Sequence, residues 1–342
     1  MFVPVKTTSG KKLMPTHPNK AGMLIKKGLA TPYWSNGIFC IRLNYVTEDE
    51  YTQDIVVGVD PGSQKEGLTV KSASHTYLNI QADAHNKVGK KVAKRRELRR
   101  SRRSRKCPNR KQRKNRNAGK EKIPAGTRAR WDWKLRILDW LSKLYPVTHV
   151  CVEDMKARTI ERAKQWNQSF SPLEVGKQWF YAEIRKRWQL LTLQGWQTKE
   201  IRDRLGLKKS SNKLSETFSA HCIDSWCLAH HSVGGVSMPE NTDIFCIAPI
   251  PIKRRSLHRE QETKGRQRNR YGGTVLGKGL VKNTLINHAK YGLTRLAGVN
   301  AKGLFSIYTL EGKRLTTGAK RNDFRVLRRL NFNYRNGHSS QT

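Results

Sequence analysis

The chain has 342 residues, of which 68 are Lys or Arg and 26 are Asp or Glu, and its formal net charge is +42. Such an excess of charge repels itself in a compact protein unless counter-charge is bound, and phosphates bound by Lys and Arg release condensed counterions. The composition therefore predicts a nucleic-acid partner, in preference to the alternative of a soluble protein whose surface is simply basic. No stretch reaches the roughly 20 apolar residues that span a bilayer, so we expect no membrane segment.

The six cysteines contain no Cys-x-x-Cys pair, so a structural zinc site is not expected. Because the N-terminus also lacks the pattern of a signal peptide, we expect reduced thiols and a cytoplasmic protein. The length allows about two domains.

Residues 1–53 are expected to form a small N-terminal module. A short strand is predicted at 2–5, a helix at 17–30 and a second strand at Ile38–Leu43. Residues 54–86 then open the main domain. The apolar, mostly β-branched run at 55–59 is typical of a strand buried on both faces, and it ends at Asp60, ahead of the turn Pro61-Gly62.

Residues 87–116 contain 17 Lys or Arg and a single acidic residue, Glu97. Good helix formers predict an arginine-rich helix from about 90 to 106 that stops at Pro108. Since this helix has almost no apolar face, nucleic acid is its expected partner, although a flexible basic linker is the alternative. The candidate nucleic-acid contacts are Lys94, Arg95, Arg96, Arg99, Arg100, Arg102, Arg103 and Arg105.

Residues 117–252 predict three helices and two strands. The helices are expected at 127–144, 175–193 and 215–230, and in the second of them Trp188 and Leu191 are expected to face the core. A strand at 149–152 leads into Glu153-Asp154, and a strand at 244–252 contains two prolines that predict a sheet edge. The order of elements predicts an α/β fold with one mixed sheet flanked by helices.

Residues 253–342 are expected to form a basic linker followed by a small β-rich module with basic loops. Arg254, Arg255 and Arg259 of the linker are further candidates for contact with nucleic acid. The last residues, 337–342, are expected to be frayed.

Four side chains from different elements are candidates for one catalytic centre. Hydrolysis of a phosphodiester by two metal ions needs several carboxylates or imidazoles at one point, and Mg²⁺ prefers oxygen ligands. Asp60 ends a strand, and only one of Glu153 and Asp154 can join it because adjacent strand residues face opposite sides. His221 and Asp224 are three residues apart, which places them on one face of a helix.

This ordered set resembles the RuvC-like branch of the RNase H fold. Asp60-Pro61-Gly62-Ser63 with Gly67 resembles its first motif, Glu153 its second and His221-Cys222-Ile223-Asp224 its third. The resemblance implies that Asp60, Glu153 and Asp224 hold two Mg²⁺ ions, for which Mn²⁺ can substitute. It also implies that His221 assists proton transfer or activates water, and it selects Glu153 over Asp154.

Most of the chain resembles a narrower group, the transposon-associated IscB/IsrB proteins. Lys12-Leu13-Met14-Pro15 is similar to their N-terminal PLMP module, although a Lys stands where the motif has its first Pro. The arginine-rich stretch is similar to their bridge helix, and residues 254–259 with 271–274 resemble their segment after the nuclease motifs. The 67 residues between Glu153 and His221 contain no histidine, so the HNH nuclease of IscB is absent and the resemblance is to IsrB.

That resemblance implies an RNA-guided nickase of the OMEGA type. The implied partners are an ωRNA-type guide RNA and double-stranded target DNA with an adjacent motif, bound by a monomeric protein that nicks the non-target strand. Two alternatives stay open. One is a RuvC-type structure-selective nuclease or resolvase that works without RNA, and the other is a non-catalytic RNA-binding protein on a RuvC scaffold.

Overall fold

The computed structural model describes residues 2–47, 51–106, 123–156, 171–249, 277, 279–328 and 332–336. Two compact units divide the chain: Met1–Ala248 with Tyr334–Thr342, and Pro249–Asn333. Among the described helices, none combines the length and the apolar composition that crossing a bilayer requires.

The first unit opens with a four-stranded sheet in the order β2-β1-β4-β3. Its elements are β1 (Val3–Lys6), β2 (Lys12–Thr16), α1 (Pro18–Lys26), β3 (Ala30–Ser35) and β4 (Ile38–Leu43). The helix packs Ala21 and Leu24 against Val5 and Ile41 of the sheet. The predicted β1, α1 and β4 are present, whereas β2 and β3 were not predicted.

A seven-stranded mixed sheet forms the centre of the same unit, in the order β16-β10-β7-β6-β5-β8-β9. Its strands are β5 (Ile55–Asp60), β6 (Lys65–Lys71), β7 (Thr76–Asp83), β8 (Val147–Asp154), β9 (Gln189–Gln194), β10 (Ile244–Pro249) and β16 (Phe332–Asn336). Strands β5, β6 and β7 form an antiparallel meander, while β8 runs parallel to β5 and β9 parallel to β8. The predicted α/β fold with one mixed sheet is confirmed.

The helices that accompany this sheet in the described ranges are α2 (Lys87–Lys106), α3 (Ala125–Leu141), α4 (Pro172–Arg185), α5 (Gly195–Arg204), α6 (Phe218–His221) and α7 (Ile223–Val233). Neighbouring residues of β6 show which helices cover which face. Glu66 forms a buried ion pair with Lys134 of α3, with 2.6 Å between Oε1 and Nζ, whereas a Cβ at Gly67 would lie 3.2 Å from Oγ of Ser225 in α7. Because side chains alternate along a strand, α3 and α7 cover opposite faces of the sheet.

The helix predicted at 175–193 is wrong in its second half. Helix α4 ends at Arg185, and residues 189–194 form β9, which pairs with β8 from His149 to Asp154. Leu191, expected in the core, is 40% exposed on this edge strand. Short apolar runs fit helix and strand periods equally well, and the backbone of β8 decides in favour of the strand.

The strand at 244–252 was predicted at a sheet edge, and this is also wrong. Strand β10 lies between β7 and β16, and it accommodates Pro249 because that residue ends the strand. The neighbour β16 comes from the C-terminal region, so residues 334–336 belong to the first unit instead of completing the C-terminal module. The predicted frayed end, 337–342, lies outside the described residues.

The second unit is a five-stranded antiparallel sheet in the order β14-β13-β12-β11-β15. Its strands are β11 (Leu285–His288), β12 (Gly292–Val299), β13 (Phe305–Tyr308), β14 (Arg314–Ala319) and β15 (Phe324–Arg328). Ile286, Leu296, Phe305 and Ile307 form its buried core. This unit is rich in β structure, as the short β-type runs and glycine turns predict.

Candidate active site

Asp60 and Glu153 meet at the carboxyl ends of two neighbouring parallel strands. Val59 of β5 pairs with Val152 of β8, so the next residue of each strand comes to the same edge of the sheet. Burial, then the negative charge of Glu153 and a hydrogen bond with it, raise the pKa of Asp60 well above its ordinary value. The side chain of Asp60 remains 21% exposed. The structure therefore brings two of the predicted carboxylates together at a position that solvent reaches.

Asp154 occupies different surroundings from Glu153. It accepts hydrogen bonds from Tyr181 Oη at 3.0 Å and from Gln194 Nε2 at 2.8 Å, and Lys177 Nζ lies 2.7 Å away. Burial alone would raise the pKa of Asp154, but the hydrogen bonds from these three side chains outweigh it and lower the pKa. Asp154 thus joins β8 to α4 and β9, whereas Glu153 lies beside Asp60.

Asp224, in the first turn of α7, is held by two cations. Arg202 Nη1 donates to its Oδ1 at 2.6 Å, and Lys209 Nζ donates to its Oδ2. The same ammonium group lies 3.9 Å from Oδ2 of Asp60. Lys209 therefore links the third predicted carboxylate to the first. Sequence reasoning missed both cations, because nothing distinguishes them among 68 basic residues.

The sequence predicts that His221 and Asp224 share one face of a helix, but in the structure they belong to different helices. The backbone breaks at Cys222 (φ −110°, ψ −10°), so His221 ends α6 and Asp224 belongs to α7. The predicted single helix at 215–230 is therefore wrong. The Nε2 atom of His221 is buried and has no hydrogen-bond partner within the described part of the chain. Burial and then the charge of Lys65 lower the pKa of His221, which favours the neutral imidazole.

A side chain of helix α3, Arg130, holds the turn that follows Asp60 through hydrogen bonds. Arg130 Nη2 donates to the carbonyl of Ser63 at 2.8 Å, and its Nε donates to Asn86 Oδ1 at 2.9 Å. At Gly62 a Cβ atom would lie 1.5 Å from the carbonyl oxygen of Lys65, so the turn excludes any side chain there. This turn sets the point at which β5 ends and the carboxylate of Asp60 emerges.

Two of the three candidate carboxylates, those of Asp60 and Glu153, are placed to bind a divalent cation. Asp60 and Glu153 are two oxygen donors whose mutual repulsion a cation would relieve, and oxygen is the ligand that Mg²⁺ prefers. Asp224 is engaged by Arg202 and Lys209 instead. In the described ranges, no group of three or more His, Cys, Asp or Glu residues is placed so that it could hold a metal ion. Two of the three carboxylates that were predicted to hold metal thus lie together, and the third is paired with cations.

The arginine-rich segment forms the predicted helix, α2, which begins at Lys87 instead of about residue 90 and ends at 106 as predicted. Its eight candidate side chains are all exposed, and none forms a salt bridge with another described residue. These residues are Lys94, Arg95, Arg96, Arg99, Arg100, Arg102, Arg103 and Arg105. Val92 and Leu98 of the helix are 40% and 62% exposed, so no protein core covers it in the described structure. Arg254, Arg255 and Arg259 lie outside the described residues.

A protein-family comparison matches the N-terminal part of the chain. Residues 3–166 match the family RRXRR, described as RRXRR protein, and none of the curated proteins matches the chain. The pattern in the family name occurs in α2 as Arg99-Arg100-Ser101-Arg102-Arg103. The matched range includes Asp60, Glu153 and all of α2, but it ends before His221 and Asp224.

Several solved structures match the chain, and two of them, which are RuvC-type or Holliday junction resolvases, are similar to about half of it. RuvC of T. thermophilus in complex with a Holliday junction substrate is 14% identical over 53% of this chain and 97% of that chain, with a TM-score of 0.28. The yeast mitochondrial Holliday junction resolvase Ydc2 is 13% identical over 53% and 78%, with a TM-score of 0.26. The fold class rests on the strand order and strand directions of the sheet itself.

Proposed function

We propose that this chain is a divalent-metal-dependent DNA endonuclease that is directed by a bound RNA and nicks one strand of its target. The observation that carries the proposal is the contact between Asp60 and Glu153 at adjacent strand ends, with Asp224 linked to them through Lys209. The RRXRR domain, which occurs in IscB/IsrB-like proteins, and the net charge of +42 support a nucleic-acid substrate.

The residues of the site supply binding and proton transfer. Asp60 and Glu153 would hold Mg²⁺, or Mn²⁺ in its place, and Asp224 would become a third ligand on exchanging Lys209 for the ion. Such an ion would stabilise charge on the phosphate oxygens. His221 keeps a neutral imidazole whose Nε2 has no partner among the described residues, so it is able to accept a proton from an attacking water. Arg202 and Lys209 add positive charge next to the carboxylates, which favours a phosphodiester at this position.

The exposed basic helix supports the RNA part of the proposal. Eight cationic side chains of α2 have no salt-bridge partner among the described residues, and a continuous phosphate backbone is the ligand that matches them. Base pairing of a guide RNA with DNA would then supply sequence recognition, as in RNA-guided effectors. Since the 67 residues between Glu153 and His221 lack the histidine that an HNH centre needs, we propose one catalytic centre and a nicked product.

Asp60→Ala tests the catalytic part. We expect the variant to lose nicking of supercoiled plasmid while it retains RNA and target binding, because only the carboxylate that faces Glu153 is removed. The matched control is Asp54→Ala, which removes an exposed carboxylate just before the same strand and should leave nicking unchanged. Equal loss of nicking and of binding in Asp60→Ala would show that Asp60 is structural.

The alternative of an RNA-independent resolvase is tested with the same plasmid. Protein freed of RNA should be inactive and should regain activity when its co-purified RNA is added back. Cleavage of branched junctions by RNA-free protein would favour the resolvase, and efficient linearisation of the plasmid would reveal a second catalytic centre.

A further inference from the structure

Gly195 lies against the carboxylate of Glu153. A Cβ atom placed on Gly195 would be 2.6 Å from Oε1 of Glu153 and 3.8 Å from its Cδ, and apart from its own helix and chain neighbours no other described group would lie within 4 Å. Gly195 is the first residue of α5 and follows β9 directly, and β9 pairs with β8 so that Leu193 is opposite Glu153. The bare Cα of Gly195 is therefore one wall of the space that this carboxylate occupies.

The backbone does not require glycine at this position. Gly195 is absent from the glycines that adopt a positive φ, so an L-residue fits its conformation. Gly58 and Gly67 differ, because a Cβ at either would lie 1.9 Å from a backbone carbonyl oxygen of Ser225 or His221. A side chain at Gly195 would meet only the far end of one flexible side chain, so the fold has no need of glycine here.

Gly195 is also held firmly in place. Gln194 pairs with Asp154 in the sheet, and its side chain donates to Asp154 Oδ2 at 2.8 Å. The backbone N–H of Gln194 donates to Gln197 Oε1 at 2.8 Å, which closes a capping box at the start of α5. Because strand and cap fix this wall, an added methyl group would displace the carboxylate of Glu153 and not the helix.

We infer that Gly195 is a positioning residue for Glu153: its missing side chain leaves the room in which the carboxylate stays beside Asp60. This inference rests on the proposed role of Glu153 as a metal ligand. To regain ordinary van der Waals contact with a methyl group, the oxygen would have to retreat by about 0.8 Å. Catalytic groups need placement within about 0.5 Å, and Mg²⁺ demands near-ideal octahedral geometry, so this displacement is large enough to weaken the site.

The test is a Mn²⁺ titration of the full-length chain, in which free Mn²⁺ is followed by electron paramagnetic resonance. We expect Gly195→Ala to weaken Mn²⁺ binding by about 10-fold to 100-fold, the range for groups that support a metal ligand. Its thermal midpoint should not fall, because alanine favours the helix that begins there. The matched control is Gly22→Ala in α1, where a Cβ would meet nothing within 4 Å and Mn²⁺ binding should not change.

A second pair of variants separates this inference from the proposed function. Glu153→Gln should lose Mn²⁺ binding, and the double variant Gly195→Ala/Glu153→Asp should bind Mn²⁺ more tightly than Gly195→Ala alone, because aspartate withdraws the carboxylate from the added methyl. If Glu153→Gln weakens binding while Gly195→Ala does not, the role of Gly195 is overturned alone. If Glu153→Gln has no effect, the metal role of Glu153 fails and this inference fails with it. Equal weakening in Gly22→Ala would also overturn it.

Discussion

Glu153 and Asp154 are adjacent in the sequence, yet their side chains enter different surroundings. Successive side chains of a strand point to opposite faces, so one of the pair reaches Asp60 while the other reaches Tyr181 and Gln194. The alternation predicts that only one carboxylate joins the site, but it does not say which. In the structure, the hydrogen bonds of Asp154 connect β8 to α4 and β9, and it is Glu153 that lies beside Asp60.

Lys71 of β6 is a buried cation outside the candidate site. It is fully buried, and its Nζ donates to the carbonyl oxygens of Ser72 and Gly234, both at 2.9 Å. It also lies 5.6 Å from the ring centre of Trp226. Burial lowers the pKa of Lys71 from 10.5 to about 8, with only the charge of Glu240 opposing the shift. The folded state therefore disfavours the charged form.

This pKa predicts how stability changes with pH. Between pH 8 and 10.5 the unfolded chain binds more protons at Lys71 than the folded chain, so the free energy of unfolding should rise with pH in this window, by up to about 3 kcal/mol. Below pH 8 the lysine is charged in both states and contributes no slope. Urea denaturation of the wild type and of Lys71→Met between pH 7.5 and 10 measures the effect. Parallel curves for the two proteins would contradict the assignment.

At the scale of elements, two glycines of β5 and β6 determine how closely helices α6 and α7 approach the sheet. A Cβ at Gly58 or Gly67 would lie 1.9 Å from a carbonyl oxygen of Ser225 or His221. Because those carbonyls belong to backbone, a side chain at either glycine would push α6 and α7 away from the sheet. Close contact of helix and sheet is what places Asp224 near the end of β5.

Helix α2 yields a prediction about salt dependence. Replacing Arg99, Arg100, Arg102 and Arg103 by Ala should weaken RNA binding and flatten the plot of log affinity against log salt, by about 0.7–0.9 for each phosphate that is no longer neutralised. The helix itself should persist, since these side chains are exposed and alanine is the best helix former. Filter binding of the co-purified RNA at several salt concentrations measures the slope.

A control for this variant removes positive charge elsewhere in the same unit. Arg185 ends α4, Lys186 and Arg187 lie between it and β9, and Glu183 already pairs with the latter two. Their replacement by Ala should change the slope less than the α2 variant does. Equal changes in both variants would mean that RNA responds to total charge, and the bridge-helix role of α2 would be withdrawn.

At the scale of the whole molecule, the net charge of +42 works against the folded state of the free chain. Like charges that are brought together on folding repel one another, and bound polyanion or screening by salt reduces that cost. Screening shortens the Debye length from about 10 Å at 0.1 M to about 3 Å at 1 M salt. Stability of this chain should therefore depend on ionic strength more than that of a neutral protein.

Thermal unfolding tests this expectation. For RNA-free protein, the melting temperature should rise between 0.1 and 1 M NaCl, by about 1–2 °C for each kcal/mol of repulsion relieved. The RNA complex should show the opposite trend, because salt weakens RNA binding and removes the stabilisation that a ligand provides. A melting temperature of the free protein that stays constant or falls would show that its charges are already neutralised within the fold.

The sequence by itself determined the basic composition from which a nucleic-acid partner is proposed, the main strands and the principal carboxylates. Net charge is a sum over residues and needs no structure. The β-branched run before Asp60 is typical of a strand that is buried on both faces, and β5 is such a strand. The arginine-rich helix likewise follows from local propensity and from the absence of an apolar face. These properties depend on neighbours in the chain, so they can be read without a structure.

Only the tertiary structure decided the strand at 189–194, the break at Cys222 and the parts played by Lys209 and Gly195. Residues 189–194 form a strand because β8 offers them a backbone partner, against their helix-compatible spacing. Lys209 lies near Asp60 and pairs with Asp224, and Gly195 lies against Glu153. None of these partners is a neighbour in the chain. Ion pairing and close packing act between segments that come into contact only after folding, and no local pattern in the sequence predicts these tertiary contacts.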